Sequence, residues 1–153
     1  MSGGLDSAVF EHREHPDHPG WFTWRLVDES RYNGVVMGEL LTRVEDGRCR
    51  LRMFPERRHT NLQEMIHGAV TLGLIDISLF AAMHTLTGGD AGPAVTLELS
   101  TQFIGAGRPD EPLDSVVEVM RETGRLIFLR GEVVQGAHLV AAFSGLVRKA
   151  GQR

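Results

Sequence analysis

Cysteine is nearly missing from this 153-residue chain: Cys49 stands alone, so no intrachain disulfide and no multi-cysteine metal site is available. Lysine is as scarce, with Lys149 the single one and arginine supplying the other basic residues. Arginine suits bidentate phosphate contacts better than lysine, although a compositional bias accounts for the imbalance equally well. An excess of positive charge is lacking too. The 20 acidic residues outnumber 16 basic ones, for a net charge of −4, which argues against nucleic acid as a partner. The longest apolar run, Leu72–Met83, is too short to span a bilayer and carries Asp76 in its middle. The first fifteen residues, MSGGLDSAVFEHREH, have neither the basic start nor the apolar centre of a secretory signal. These absences predict a cytoplasmic protein that engages neither membrane nor nucleic acid.

What is present is ordinary globular material: 42% apolar and 24% charged residues, mean hydropathy near zero, and a length suited to one domain. A compact chain of this size buries roughly two-thirds of its unfolded surface and folds without staples. Residues 1–20 read as a flexible polar tail and residues 21–150 as the single domain. Within the tail, His12, His15 and His18 invite a metal reading, but Pro16 and Pro19 break the helix that would align them. No metal site is expected. Trp21, Phe22 and Trp24 open the domain as an apolar lead-in.

Strand patterns lie on either side of one apolar segment. Met37–Val44 and Arg48–Phe54 flank Glu45, Asp46 and Gly47, the signature of a hairpin. After a loop at Pro55–Ile66, the stretch His67–Leu86 predicts a long helix, ended by Gly88, Gly89, Gly92 and Pro93. It is apolar nearly all round, as burial on most sides requires. Val95, Leu97, Leu99, Thr101 and Phe103 then alternate with Thr96, Glu98, Ser100 and Gln102 at period two. Leu113–Glu122, Arg125–Val134 and Leu139–Arg148 follow as further strands. The expected fold is α+β, an antiparallel sheet of five to six strands wrapped round one long central helix.

The chemistry lies between His59 and Asp76. His59 and Asn61 form an H-x-N pair, a short loop leads to His67 and Gly68, and Asp76 follows eight residues after the glycine. This pattern resembles the hotdog-fold acyl-CoA thioesterases of the phenylacetate-pathway, PaaI-like type. Thr96–Ile104 resembles that family's third strand, and Arg121–Arg125 the turn between its closing strands. The likeness runs from about Gly34 to Lys149. Two positions depart from the pattern. Ala69 replaces a second glycine just inside the helix, where a methyl is well tolerated. Gln63 replaces a loop glycine or proline, which bears on acyl chain length.

Elementary physics gives the same residues work to do. Gly68 opens the helix, so its N–H is an unpaired donor at the positive dipole end, with no side chain in front of it. Such a donor can hold a carbonyl oxygen and stabilise a developing oxyanion, and Asn61 offers a second, neutral donor. The plainer readings are a tight helix entry for Gly68 and a loop cap for Asn61. A carboxylate inside an apolar helix costs several kcal/mol unless paired, and Asp76 has no cation three or four residues away. A catalytic carboxylate is favoured over a buried structural one. Gly68 and Asp76 lie about 12 Å apart along the helix axis, too far to act on one carbonyl. Two antiparallel helices across a dimer axis would bring Asp76 of the partner subunit opposite Gly68, with Ala69 and Gly73 permitting the approach.

The resemblance implies more. It implies hydrolysis of an acyl-CoA thioester to free coenzyme A and a carboxylic acid, with no metal or redox cofactor. Sites would be composite at a homodimer interface, with two dimers forming a tetramer. Thr96 would hold a hydroxyl near the attacking water, and His67 would orient the loop or contact the thioester. Coenzyme A would bind along Phe103, Gly105 and Arg108 and the turn at Arg121, Thr123, Gly124 and Arg125. The rival is a non-catalytic acyl-CoA-binding or regulatory hotdog domain, and a hotdog hydratase is a weaker one.

Overall fold

A computed structural model of the chain describes residues 9–151. Four short strands come first: β1 (Phe10–Glu11), β2 (Glu14–His15), β3 (His18–Thr23) and β4 (Arg25–Leu26). The expected hairpin follows as β5 (Leu40–Glu45) and β6 (Arg48–Met53), turning through Asp46 and Gly47, both at positive φ. Then comes the helix α1 (Gly68–Thr87), and after it β7 (Val95–Phe103), β8 (Leu113–Glu122), β9 (Leu126–Gln135) and β10 (His138–Arg148). The main sheet is antiparallel throughout, in the order β2-β3-β5-β6-β8-β9-β10-β7, and β1 pairs with β4 beside it.

The sheet therefore has eight strands rather than five or six, and the extra ones come from residues read as tail. Thr23 donates its N–H to the Arg13 carbonyl at 2.8 Å, and Phe10 packs on Trp24 with ring centres 5.2 Å apart. The His12 ring, half-buried beside Trp24, donates to the Thr23 carbonyl at 2.7 Å. The part of the tail reading on residues 1–8 lies outside the described residues. The prolines do break a helix, but what forms is a hairpin that sets His15 opposite His18.

Helix α1 is held from both ends and from behind. The His67 ring accepts the Ala69 N–H at 2.9 Å as a cap, and Gly88 ends the helix in the left-handed region at φ 74°. Its 20 residues are long and apolar enough, by length and composition, to cross a membrane, a test that the buried core helix of a globular domain passes as well. Ten of them are buried, among them Leu74, Ile75, Leu79, Ala81 and Met83, against core residues Leu51, Met53, Leu113, Val117 and Leu129 of the sheet. Inside that core Ser115 donates to Ser78 at 2.8 Å, and Ser78 donates to the Ile75 carbonyl, so the polar pair is satisfied. Gly145 on β10 lets Leu79 approach; a Cβ there would lie 2.7 Å from its Cδ1. On the sheet, nearly buried Asp114 accepts from Arg50 at 2.7 Å and from both ends of Arg52 at 2.8 Å. Arg43 and Arg52 both lie over the Trp21 ring, which fastens β3 to the hairpin.

Strand β7 departs from simple alternation. Leu146 and Val147 on β10 are adjacent, yet their partners on β7 are Glu98 and Thr96, so Leu97 is one residue too many. That β-bulge shifts the side-chain parity of everything before it. Thr96 thereby joins Leu99 and Thr101 as the partly buried positions of the strand, while Leu97 remains 50% exposed.

Candidate active site

The bulge decides where Thr96 points. Its hydroxyl donates to Asp76 Oδ1 at 2.6 Å, joining the carboxylate on α1 to the start of β7. Period-two reading left Thr96 open to an outward orientation, because sequence alone does not reveal the inserted residue. Asp76 is half-buried, on the helix stripe Ala69, Leu72, Gly73 and Asp76 that the sheet leaves partly uncovered. The carboxylate is therefore oriented by one hydroxyl and still reachable.

The donor half of the site lies at the helix entry. Gly68 N–H has no acceptor among the described residues, and Phe103 packs beside the glycine: a Cβ on Gly68 would lie 3.5 Å from the Phe103 ring. Asn61 is fixed by its own turn, its Oδ1 accepting the N–H groups of Gln63 at 2.9 Å and Met65 at 3.2 Å. With the oxygen engaged, the amide nitrogen is the end left to donate. Glu64 in this loop adopts φ 61°, the left-handed conformation that glycine would take more cheaply. His67 uses Nδ1 as the cap acceptor, which puts the proton of its neutral ring on Nε2, a donor on an exposed side chain.

His59, the first residue of the pattern, is structural. Its buried ring accepts the Glu56 N–H at 2.9 Å on Nδ1 and donates from Nε2 to the Val36 carbonyl at 2.5 Å. It clamps the loop carrying Asn61 to the segment before β5.

The expected coenzyme A contacts fall into two places. Phe103, Gly105 and Arg108 lie at the helix-entry end. Gly105 has a packing reason to be glycine, since a Cβ would meet the Leu139 carbonyl at 2.6 Å. The Arg108 backbone N–H donates to Gln135 at 2.8 Å, leaving its guanidinium exposed near Glu111. Thr123, Gly124 and Arg125 lie at the other end of the sheet, where Lys149 Nζ donates to the Thr123 carbonyl at 2.8 Å. Pro93, Gly124, Arg125, Arg148, Lys149 and Gly151 line a cleft of about 600 Å³ there. Arg148 and Lys149 were not singled out from sequence, although the sole lysine adjacent to an arginine was a signal. Arg121 is exposed on β8 and does not line that cleft.

Ligand atoms of His15, His18 and Glu39 lie within 4.8 Å of one another. Both nitrogens of His15 are already engaged there, Nδ1 accepting from the Asp17 N–H at 3.1 Å and Nε2 meeting Glu39 at 3.2 Å.

A family model described as the thioesterase superfamily matches residues 63–142, from the loop before α1 into β10. The chain belongs to the thioesterase superfamily. A protein of Sulfurisphaera tokodaii, named provisionally as an esterase, is 27% identical to this thioesterase-superfamily chain over 118 residues, 77% of it and 86% of the relative. Conserved protein PA5202 of Pseudomonas aeruginosa has the same fold with TM-score 0.62 and 27% identity, over 69% of this chain and 82% of that one. The PaaI protein of the Escherichia coli phenylacetic acid degradation operon matches with TM-score 0.61 and 21% identity, over 70% and 75%. A Streptococcus pneumoniae thioesterase protein solved with coenzyme A matches with TM-score 0.62 and 21% identity, over 71% and 86%. These place the superfamily chain in a PaaI-like hotdog fold.

Proposed function

We propose that this protein hydrolyses acyl-CoA thioesters at a site shared between two copies of the chain. The observation that carries the reading is the Thr96–Asp76 hydrogen bond of 2.6 Å, which holds an accessible carboxylate in an apolar helix. Gly68 N–H and the Asn61 amide would polarise the thioester carbonyl, and Asp76 would act as nucleophile or as base for water, with Thr96 fixing its orientation. Coenzyme A bound to a structural relative supports the choice of thioester.

Strand β7 supports the sharing. Thr96 lies near one end and Phe103, beside Gly68, at the other, about 23 Å apart at 3.3 Å per residue. One edge of β7 is unpaired, and Val95, Leu97 and Phe103 on it are all exposed. Antiparallel pairing of two β7 edges about Leu99 would set Val95 against the partner's Phe103, and Thr96 against the partner's Gln102. Each donor half would then meet the carboxylate half of the other chain. The same pairing would carry Arg125, Arg148 and Lys149 of one subunit toward Arg108 of the other, uniting the two groups of coenzyme A contacts. Tyr32 alters one expectation, because it covers Gly73 from within the chain, leaving Ala69 and Leu72 for the helix-to-helix approach.

The test is thiol release from a panel of short, medium, long and aryl acyl-CoAs. Asp76→Asn, nearly isosteric, should lower turnover at least about a hundredfold with the fold intact. Saturable binding without thiol release in the native protein would make it a binding domain instead.

A further inference from the structure

Tyr32, the chain's single tyrosine, is not explained by the core. It is 49% exposed, and its hydroxyl has no hydrogen-bond partner among the described residues. Yet it is wedged onto bare helix backbone. A Cβ on Gly73 would overlap the Tyr32 hydroxyl and lie 3.3 Å from its Cζ and 3.4 Å from its Cε1. Glycine at 73 is thus the vacancy that the phenol fills. Gly73 and Asp76 are three residues apart, neighbours on one helix face at about 5–6 Å. The ring therefore lies one helical turn from the carboxylate, on the same side.

The segment that carries Tyr32 is anchored. It leads into a π-helical turn, Asn33–Met37, in which Gly34 lies so close to Glu29 that a Cβ would meet its carbonyl at 2.5 Å. Met37 is buried at 1% exposure, and the Val36 carbonyl takes the His59 proton. The same histidine thus ties the Tyr32 segment to the loop bearing Asn61.

We propose that Tyr32, seated on Gly73, is the end wall of the acyl pocket and restricts the enzyme to short acyl groups. This rests on the acyl-CoA reading above. With the thioester carbonyl carbon beside Asp76, an acyl chain running from there over Gly73 meets the phenol within about one helical turn. Only a few carbons fit before it. A longer chain would have to displace a ring whose backbone is fixed on both sides.

Non-hydrolysable thioether analogues of butanoyl-CoA and dodecanoyl-CoA test this by calorimetry, alongside kcat/KM on the two thioesters. In Tyr32→Ala the long-to-short ratio, of affinities and of kcat/KM, should rise at least about tenfold, the scale on which pocket contacts discriminate. Tyr32→Phe keeps the ring and should stay near the native ratio. A folded Tyr32→Ala protein with the native ratio overturns the proposal. Should Tyr32→Ala fail to fold, Gly73→Ala serves, because its methyl displaces the hydroxyl; an unchanged ratio there overturns it equally. If the native protein releases no thiol from any acyl-CoA, the hydrolase reading falls while the analogue affinities still judge the wall. If it binds neither analogue, both fall.

Discussion

Asn61 shows how the bonded end of a side chain identifies its working end. Its Oδ1 holds the turn through Gln63 and Met65, so the amide nitrogen is the end left to donate. Asn61→Asp keeps the acceptor and removes the donor. Its melting temperature should match the native protein while kcat falls by about a hundredfold, within the range for losing one oxyanion donor. Loss of thermal stability without loss of kcat would make Asn61 a loop cap only. Gly68, Asn61 and Asp76 could be put forward from the sequence because they fall in one local pattern that resembles the PaaI-like family's. His12 could not, since its partners Thr23 and Trp24 meet it only through strand pairing. Burial holds the His12 imidazole below its ordinary 6.5; its bond to the Thr23 carbonyl opposes this, and nearby His84 adds to the lowering. The native state thus takes up its proton at lower pH than the unfolded chain. The stability it contributes is full above about pH 6.5 and is lost as pH falls through the lowered value. Melting temperature should drop more steeply between about pH 7 and pH 5 in the native protein than in His12→Phe.

Among the elements, α1 and β5 to β10 match the sequence reading closely, because long periodic segments announce themselves. The strands β1 to β4 did not: three are two-residue pieces, and their cause is pairing with distant partners such as Arg13 with Thr23. The most consequential miss is one residue long. Leu97 is the bulge that turns Thr96 toward Asp76, and no local sequence rule marks it. Deleting Leu97 should restore plain alternation and aim Thr96 away from the helix. The deletion should then match Thr96→Val in turnover, both well below the native protein, with the circular dichroism of a folded sheet retained. Native turnover in the deletion would remove the bulge from the site.

The whole molecule is half of its own active site in the reading proposed here. A heterodimer with Asp76→Asn in one chain and Asn61→Ala in the other combines the first chain's Asn61 and Gly68 with the second chain's Asp76, one intact site. Purified through two tags, it should exceed both mutant homodimers in thiol release. Mere averaging of the two mutants would return the site to a single chain and leave the 12 Å along α1 unbridged. The open edge of β7 also has a kinetic meaning. If pairing along that edge completes the site, then a lone chain is inert. Dilution below the dissociation constant of the pair switches the reaction off, and in that regime the rate follows the square of the protein concentration.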